Sequence, residues 1–257
     1  MAQKGVSTEQ GFGKGSPAAS AVDGQNLSGS EPTHQQEPLS ERELELVYRQ
    51  RFTDEHAMRK EGVWRKVCRF LQRFVAADAP VLDVACDRGH FIRNIRATER
   101  WATDVRDVSH HLSGDIHFVR CDGPTMDAVL PPGYFGTVFL SNYLEHLRSA
   151  SEIMQQLAAA QVVLRPTGRL IILQPNIRLI GHAYWDFVDH HKALTEKSLC
   201  EAVEATGFTV ERVITRFLPF TTKGRLPQAA GLVRLYLALP PAWYMLGKQT
   251  LCIARKS

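Results

Sequence analysis

Three groups of side chains in this sequence have the types and spacing to do chemistry. The first is Asp83-Val84-Ala85-Cys86-Asp87-Arg88-Gly89, which follows a short apolar run and leads into a helical stretch. A turn of this kind lets a ligand approach the backbone closely. The helix N-terminus behind it offers free N–H groups, which suit a nucleotide-type ligand. The second group is Glu145-His146, and the third is Tyr184-Trp185-Asp186-Phe187-Val188-Asp189-His190-His191. The imidazoles of His146, His190 and His191 are the candidate general bases, with Glu145 behind them. A blander alternative has Glu145 and His146 opening the next helix toward solvent. Asp186, Asp189, His190 and His191 can be drawn as a cation site, since carboxylate and imidazole are suitable ligands. No second ligand group accompanies them elsewhere, so no metal is expected.

The elements that must hold these groups follow from hydrophobic periodicity. Glu41 to about Phe52 and about Asp54 to Phe74 are expected helices. In the second, Trp64, Val67, Cys68, Leu71, Phe74 and Val75 recur at helical spacing. Pro80 precedes a buried strand at 81–85. Further strands are expected at 100–104, 116–121, 137–142, 169–174, 209–217 and 249–255, with helices at 89–97, 151–164 and 195–206. Thr195 opens the last helix and Gly207 caps it. Arg165-Pro166-Thr167-Gly168 is expected to be a turn. Alternation of this kind predicts an α/β fold of parallel βαβ units, with a ligand at the carboxyl ends of the strands.

The turn lacks the G-x-G-x-x-G of a dinucleotide fold. It resembles D-x-G-x-G-x-G, the first motif of class I S-adenosylmethionine-dependent methyltransferases, and later segments are similar to that family in order. Trp101-Ala102-Thr103-Asp104 ends the second strand 21 positions after Asp83. Phe118-Val119-Arg120-Cys121-Asp122 resembles the third-strand motif. TVFLSNYLEHL, from Thr137 to Leu147, resembles the fourth, and Arg165 to Leu173 resembles L-x-P-G-G-x-L. The resemblance covers about residues 41–257. It implies a Rossmann-like sheet of seven strands with the last antiparallel, N-terminal helices at 41–78, and S-adenosylmethionine as cofactor.

Carried over by resemblance, Asp104 accepts from the two ribose hydroxyls, as a carboxylate does well, and Asp122 lies beside the adenine. Asp83, Ala85, Asp87, Gly89, Ser141 and Asn142 complete the cofactor set. His146 is the catalytic residue, and Tyr184, His190 and His191 form the substrate loop. Two positions depart from the pattern. Ala85 replaces the first glycine, and Asp87 replaces the second, where Asp is better suited than most residues to left-handed geometry. Methyl transfer depends mainly on alignment of the acceptor with an already activated donor, and a hydroxyl acceptor gains from a general base. The segments ELELVYRQRF and GRLPQ…LVRLYL…GKQ resemble a bacterial subgroup that accompanies polysaccharide or lipid biosynthesis. The expected reaction is methyl transfer to oxygen of a small-molecule, glycan or lipid-linked acceptor. The rivals are a non-catalytic methyltransferase-like scaffold, favoured by Asp87, and a nicotinamide-dependent oxidoreductase, disfavoured by the missing glycines.

Composition narrows the classes further. In 257 residues there are five cysteines without a C-x-x-C pair, which disfavours a disulfide framework or a cysteine zinc site and suggests a cytoplasmic setting. No secretory leader is evident. Residues 1–40 have the composition of a disordered tail. Residues 212–257 hold eight basic residues and no acid, which leaves 23 basic and 27 acidic residues before them. Nucleic acid is not the expected partner, because Ser141-Asn142-Tyr143-Leu144 stands where a base-flipping enzyme would carry D/N-P-P-Y. Within an insertion spanning 218–248, residues 226–246 carry one charge, Arg234, between Lys223 and Arg225 on one side and Lys248 on the other. Pro240 and Pro241 exclude a spanning helix. The segment is either an interfacial element, making 223–248 a peripheral membrane contact, or a lid or dimer surface.

Overall fold

A computed structural model describes residues 42–43, 46–47, 54–220 and 230–257. The expected tail at 1–40, most of the expected helix at 41–52 and residues 221–229 of the insertion lie outside them. No helix among the described residues is long and apolar enough to cross a membrane.

Seven strands form one sheet: β1 Val81–Val84, β2 Arg100–Asp104, β3 Ile116–Arg120, β4 Phe135–Ser141, β5 Leu164–Pro175, β6 Phe208–Leu218 and β7 Gln249–Lys256, in the order β3-β2-β1-β4-β5-β7-β6. The first five pair in parallel, and β7 lies antiparallel between β5 and β6. The order reverses at β1, where β2 lies on one side and β4 on the other. In sheets of this type that crevice is the ligand site.

Side chains of the central strands alternate between two cores, one on each face. Leu82, Val84, Val138, Leu140, Leu170 and Ile172 face one core. Val81, Phe139, Ile171 and Leu173 face the other. The first core is covered by α2 (Ala150–Val163) and α3 (Glu196–Ala205), and the second by α1 (Asp54–Leu71). The stripe expected on α1 is the one that packs, with Val67, Cys68 and Leu71 almost fully buried. Ser149 caps α2 by accepting from the Glu152 N–H, and Thr195 and Ser198 form a capping box on α3. Gly207, with φ +86°, ends α3 as expected.

Two elements differ from the expectations. Residues 87–95 form linked turns rather than a regular helix: Asp87 and Gly89 at their start have positive φ, and beyond them Arg93 N–H reaches Gly89 O while Asn94 N–H turns back to Phe91 O. Residues 165–168 belong to β5 as a bulge: β4 advances from Phe135 to Thr137 while β5 runs from Leu164 to Arg169. Thr167 sits at φ +62° in that bulge.

Candidate functional site

The sequence places three left-handed residues, Ala85, Asp87 and Gly89, within five positions at the end of β1. Gly89 holds φ +66°, which a side chain would strain, and a Cβ there would also push the Leu112 side chain aside. The turn is closed by Cys86 N–H to Thr103 O (2.9 Å) and Gly89 N–H to Cys86 O (2.8 Å). It is pinned from above by α1. Glu61 accepts from Arg93 (2.7 Å) and Asn94 (2.7 Å) and pairs with His90 Nδ1 (3.0 Å), while Trp64 stacks on His90. Burial pushes the Glu61 carboxyl up, but these hydrogen bonds and charges outweigh it and hold it below the usual range.

Asp83 points from β1 into the interior beneath the turn and is 3% exposed. Burial, reinforced by the charges of Asp104 and Asp87, raises its carboxyl well above the ordinary range. Asp104 ends β2 at the cleft, 4% exposed. Its Oδ1 accepts from the Arg106 backbone N–H (3.0 Å) and Nε (3.1 Å), and its Oδ2 accepts from the Asp87 N–H (3.1 Å) and Arg106 Nη2 (3.3 Å). Arg106 Nη2 also reaches Asp87 Oδ1 (3.1 Å). The Asp87 side chain is therefore paired with Arg106. Two vicinal hydroxyls are donors like those Asp104 already receives, so this carboxylate fits a ribose once Arg106 gives way. Lys60 completes this corner. Burial pushes its amine down to about 8, with Asp87 opposing and Arg88 assisting.

Asp122 follows β3 and is exposed; Cys121 N–H donates to Asp104 O (3.2 Å), which keeps the two strand ends together. Ser141 ends β4, and Asn142 follows at φ +49° with its N–H on Leu173 O (2.9 Å). The Asn142 amide donates to Ser141 Oγ (3.0 Å). These residues lie at the carboxyl edge of adjacent strands, as the sequence motifs require.

Beyond Asn142 the chain makes a short 3-10 turn, Leu144–His146, rather than opening the helix, which starts at Ala150. Glu145 is 1% exposed, against the solvent-facing alternative. Its Oε2 accepts from Gln174 (3.0 Å), and its carbonyl accepts from the His191 and Lys192 N–H groups (2.8 and 3.1 Å). The loop after β5 is thereby fixed over the end of β4. His146 Nδ1 lies 2.9 Å from the Asp189 carbonyl oxygen and 3.4 Å from its Oδ2. A carbonyl only accepts, so Nδ1 carries the proton and Nε2 keeps a lone pair. His190 Nδ1 likewise donates to Tyr184 O (2.7 Å), and its ring stacks on Phe187.

Tyr184 differs from its expected place against substrate. It is fully buried, and its hydroxyl donates to Lys192 O, so it braces the loop from inside. The structure does not gather Asp186 with Asp189, His190 and His191. The groups that converge are Glu145, His146 and His190, with ligand-capable atoms within 4.8 Å of one another. Arg106, Gln174 and Asp189 as the His146 partner were not legible in the sequence. Only Arg106, two residues past Asp104, carried a signal, as a cation beside the second-strand carboxylate.

A family model described as "Methyltransferase domain" matches residues 55–213. Among solved structures, an S-adenosylmethionine-dependent methyltransferase from Archaeoglobus fulgidus is similar at 19% identity and a TM-score of 0.53, covering 74% of this chain and 93% of its own. One from Mesorhizobium loti is 16% identical with a TM-score of 0.53, covering 74% and 96%. The [4+2]-cyclase SpnF is 18% identical with a TM-score of 0.52, covering 75% and 80%. These likenesses are of fold, which does not by itself fix the reaction. No curated protein matches the chain.

Proposed function

The chain belongs to the methyltransferase-domain family, and from that premise we propose that it methylates an oxygen of a small-molecule, glycan or lipid-linked acceptor, with His146 as general base. It is an S-adenosylmethionine-dependent methyltransferase of class I fold. Asp83, Ala85, Asp87, Gly89, Asp104, Asp122, Ser141 and Asn142 are the residues that would hold the cofactor. When bound, it supplies a methyl group already activated on a positively charged sulfur.

The observation that carries the oxygen reading is the Asp189–His146 arrangement. The Asp189 carbonyl fixes the tautomer, and its carboxylate stands ready to stabilise the imidazolium once His146 Nε2 has taken the acceptor's hydroxyl proton. Proton removal of this kind is worth ~10²–10⁴-fold in rate. His190 and His191 line the acceptor side, while Tyr184 and Glu145 hold the loop that carries them. A bacterial subgroup linked to polysaccharide or lipid biosynthesis is the finer assignment, supported by the terminal sequence segments. The test is transfer of an isotope-labelled methyl group to a panel of phenols, sugars and polyprenyl-linked glycans. An O-methyl product supports the reading, and an N- or C-methyl product overturns it.

A second reading, a methyltransferase-like scaffold without turnover, is favoured by Arg106 lying across the ribose-binding carboxylate. Calorimetric titration with S-adenosylhomocysteine separates the two, because a scaffold of this kind gives no heat of binding.

A further inference from the structure

The sequence between β6 and β7 supplies two short helices, α4 (Ala230–Ala238) and α5 (Pro240–Leu246), broken at Leu239 because Pro240 has no N–H to continue the first. Leu237 and Trp243 pack inward against the second core. The outer face is apolar too. Leu232, Leu235 and Leu239, spaced three and four apart, are about half exposed, and Tyr244 and Met245 are 74% and 77% exposed. Six exposed large apolar side chains, counting Leu246, on two such short helices form a patch that a solvated surface does not need.

Cations lie along the Leu237–Ala238 side of α4 and meet the patch at Tyr244. A groove of about 900 Å³ runs between the end of α1, the outer strand β6 and α4–α5, with Arg73, Arg212 and Arg216 along it beside Phe70, Trp243 and Tyr244. A smaller pocket next to it adds Lys66, Arg69 and Arg234. Arg73 and Arg216 lie over the rings of Phe70 and Tyr244, which leaves their charge unneutralised. Among the described residues no carboxylate pairs with Arg73, Arg212 or Arg216. Glu211, the acid next to Arg212, is taken by Arg169 and Arg255. None of the residues along the groove belongs to the Asp83–Asp104 cleft or to the His146 loop.

We propose that this face docks on an anionic lipid bilayer, with the aliphatic row of α4 and α5 entering the headgroup boundary and the arginines of the groove meeting lipid phosphates. Charge and chemistry select this occupant. A second copy of the chain would bring the same cations face to face. A nucleic acid would neutralise the arginines but offer nothing to Leu232, Leu235, Leu239 and Met245. A bilayer of anionic lipid satisfies both halves. The base of the insertion also touches the acceptor loop: Phe220 lies edge-on to Phe187 at 5.7 Å, and Phe187 stacks on His190 at 4.7 Å. A docked bilayer would thus lie on the acceptor side of the cleft. That consequence alone rests on the function proposed above; the docking itself is read without turnover.

The full chain is sedimented with phosphatidylcholine vesicles and with vesicles that also contain phosphatidylglycerol, at low and high salt. The expected result is binding to the anionic vesicles only, weakened by salt. Arg212→Gln with Arg216→Gln, and separately Leu235→Ser with Met245→Ser, each lower the partition by about ten-fold or more. Retained S-adenosylhomocysteine binding or an unchanged thermal transition shows that each variant is folded. If one variant fails to fold, salt release of the parent protein tests the charged half, and comparison with duplex DNA tests the apolar half. No sedimentation with anionic vesicles at low salt overturns the proposal. So does undiminished binding by the leucine–methionine variant, equal binding to neutral vesicles, or capture by DNA without capture by vesicles.

Discussion

The guanidinium of Arg106 spans both oxygens of the Asp104 carboxylate and reaches on to Asp87. An arginine here competes with any diol that approaches Asp104. The pair is largely buried, with 16% and 4% of the two side chains exposed, so it is held more firmly than a surface ion pair. Arg106→Met is expected to tighten S-adenosylhomocysteine binding by about ten-fold while lowering thermal stability, since the two carboxylates lose their shared cation. Asp104→Ala should lose binding altogether. Calorimetry and thermal melting measure the two effects separately, and unchanged affinity in Arg106→Met would show that the clamp does not compete.

His146 and Asp189 should respond as base and positioning residue. His146→Gln is expected to lower turnover by ~10²-fold or more with cofactor affinity unchanged. Asp189→Asn keeps the backbone carbonyl that fixes the tautomer, so its loss should be smaller, about ten-fold. It also removes the negative charge that faces the imidazolium formed during proton removal, so kcat should fall with KM unchanged. A purely structural role for Asp189 would instead lower thermal stability and raise KM together.

Ala85 and Thr167 occupy left-handed backbone at φ +52° and +62°. This costs a residue with a Cβ about 1 kcal/mol, and more when it is β-branched. Ala85→Gly and Thr167→Gly are each expected to raise stability by ~0.5–1.5 kcal/mol, partly offset by the greater freedom of glycine in the unfolded chain. Urea denaturation midpoints provide the measurement. A loss of stability at Ala85 would mean that its methyl group contributes packing that outweighs the backbone term.

Lys60 gives a pH signature. Its amine falls from 10.5 to about 8 in the folded chain, chiefly through burial. Between those values the unfolded chain binds a proton that the folded chain does not, so stability declines as pH drops through this window. Lys60→Met should flatten that part of the stability profile. An unchanged profile would place the titration elsewhere.

Glu145 acts in the opposite sense. Burial raises its carboxyl above 4.5, with His146 and Gln174 opposing. The folded chain then keeps a proton that the unfolded chain has released, and stability falls as pH rises from 4.5 toward the raised value. Glu145→Gln should remove this decline. Glu145 Oε2 already accepts from Gln174 and His146 Nδ1 is engaged by the Asp189 carbonyl, so a chelator should leave turnover unchanged. Loss of activity that zinc or magnesium restores would point instead to a metal on Glu145, His146 and His190.

The strands were legible because each is an apolar run bounded by turn residues, and burial on both faces leaves a run such as Val81–Val84 few other uses. The order of the acidic residues along the chain, Asp83, Asp104, Asp122, marked the cleft for the same reason: each ends or follows a strand. The helix expected at 89–97 is replaced by turns, because apolar spacing does not report the left-handed residues Asp87 and Gly89 at its start. Asp189 was visible only as a metal ligand, since its meeting with His146 depends on how the loop after β5 folds back. Burial of Tyr184 was hidden likewise, because an aromatic residue suits either a pocket wall or a core.

The position of β7 between β5 and β6 sets the order in which the sheet can close. Among the described residues β6 pairs with β7 alone, so it gains a neighbour only after the last strand has joined β5. Unzipping β7 would therefore release β6 and the α4–α5 segment together, while the five parallel strands stay paired.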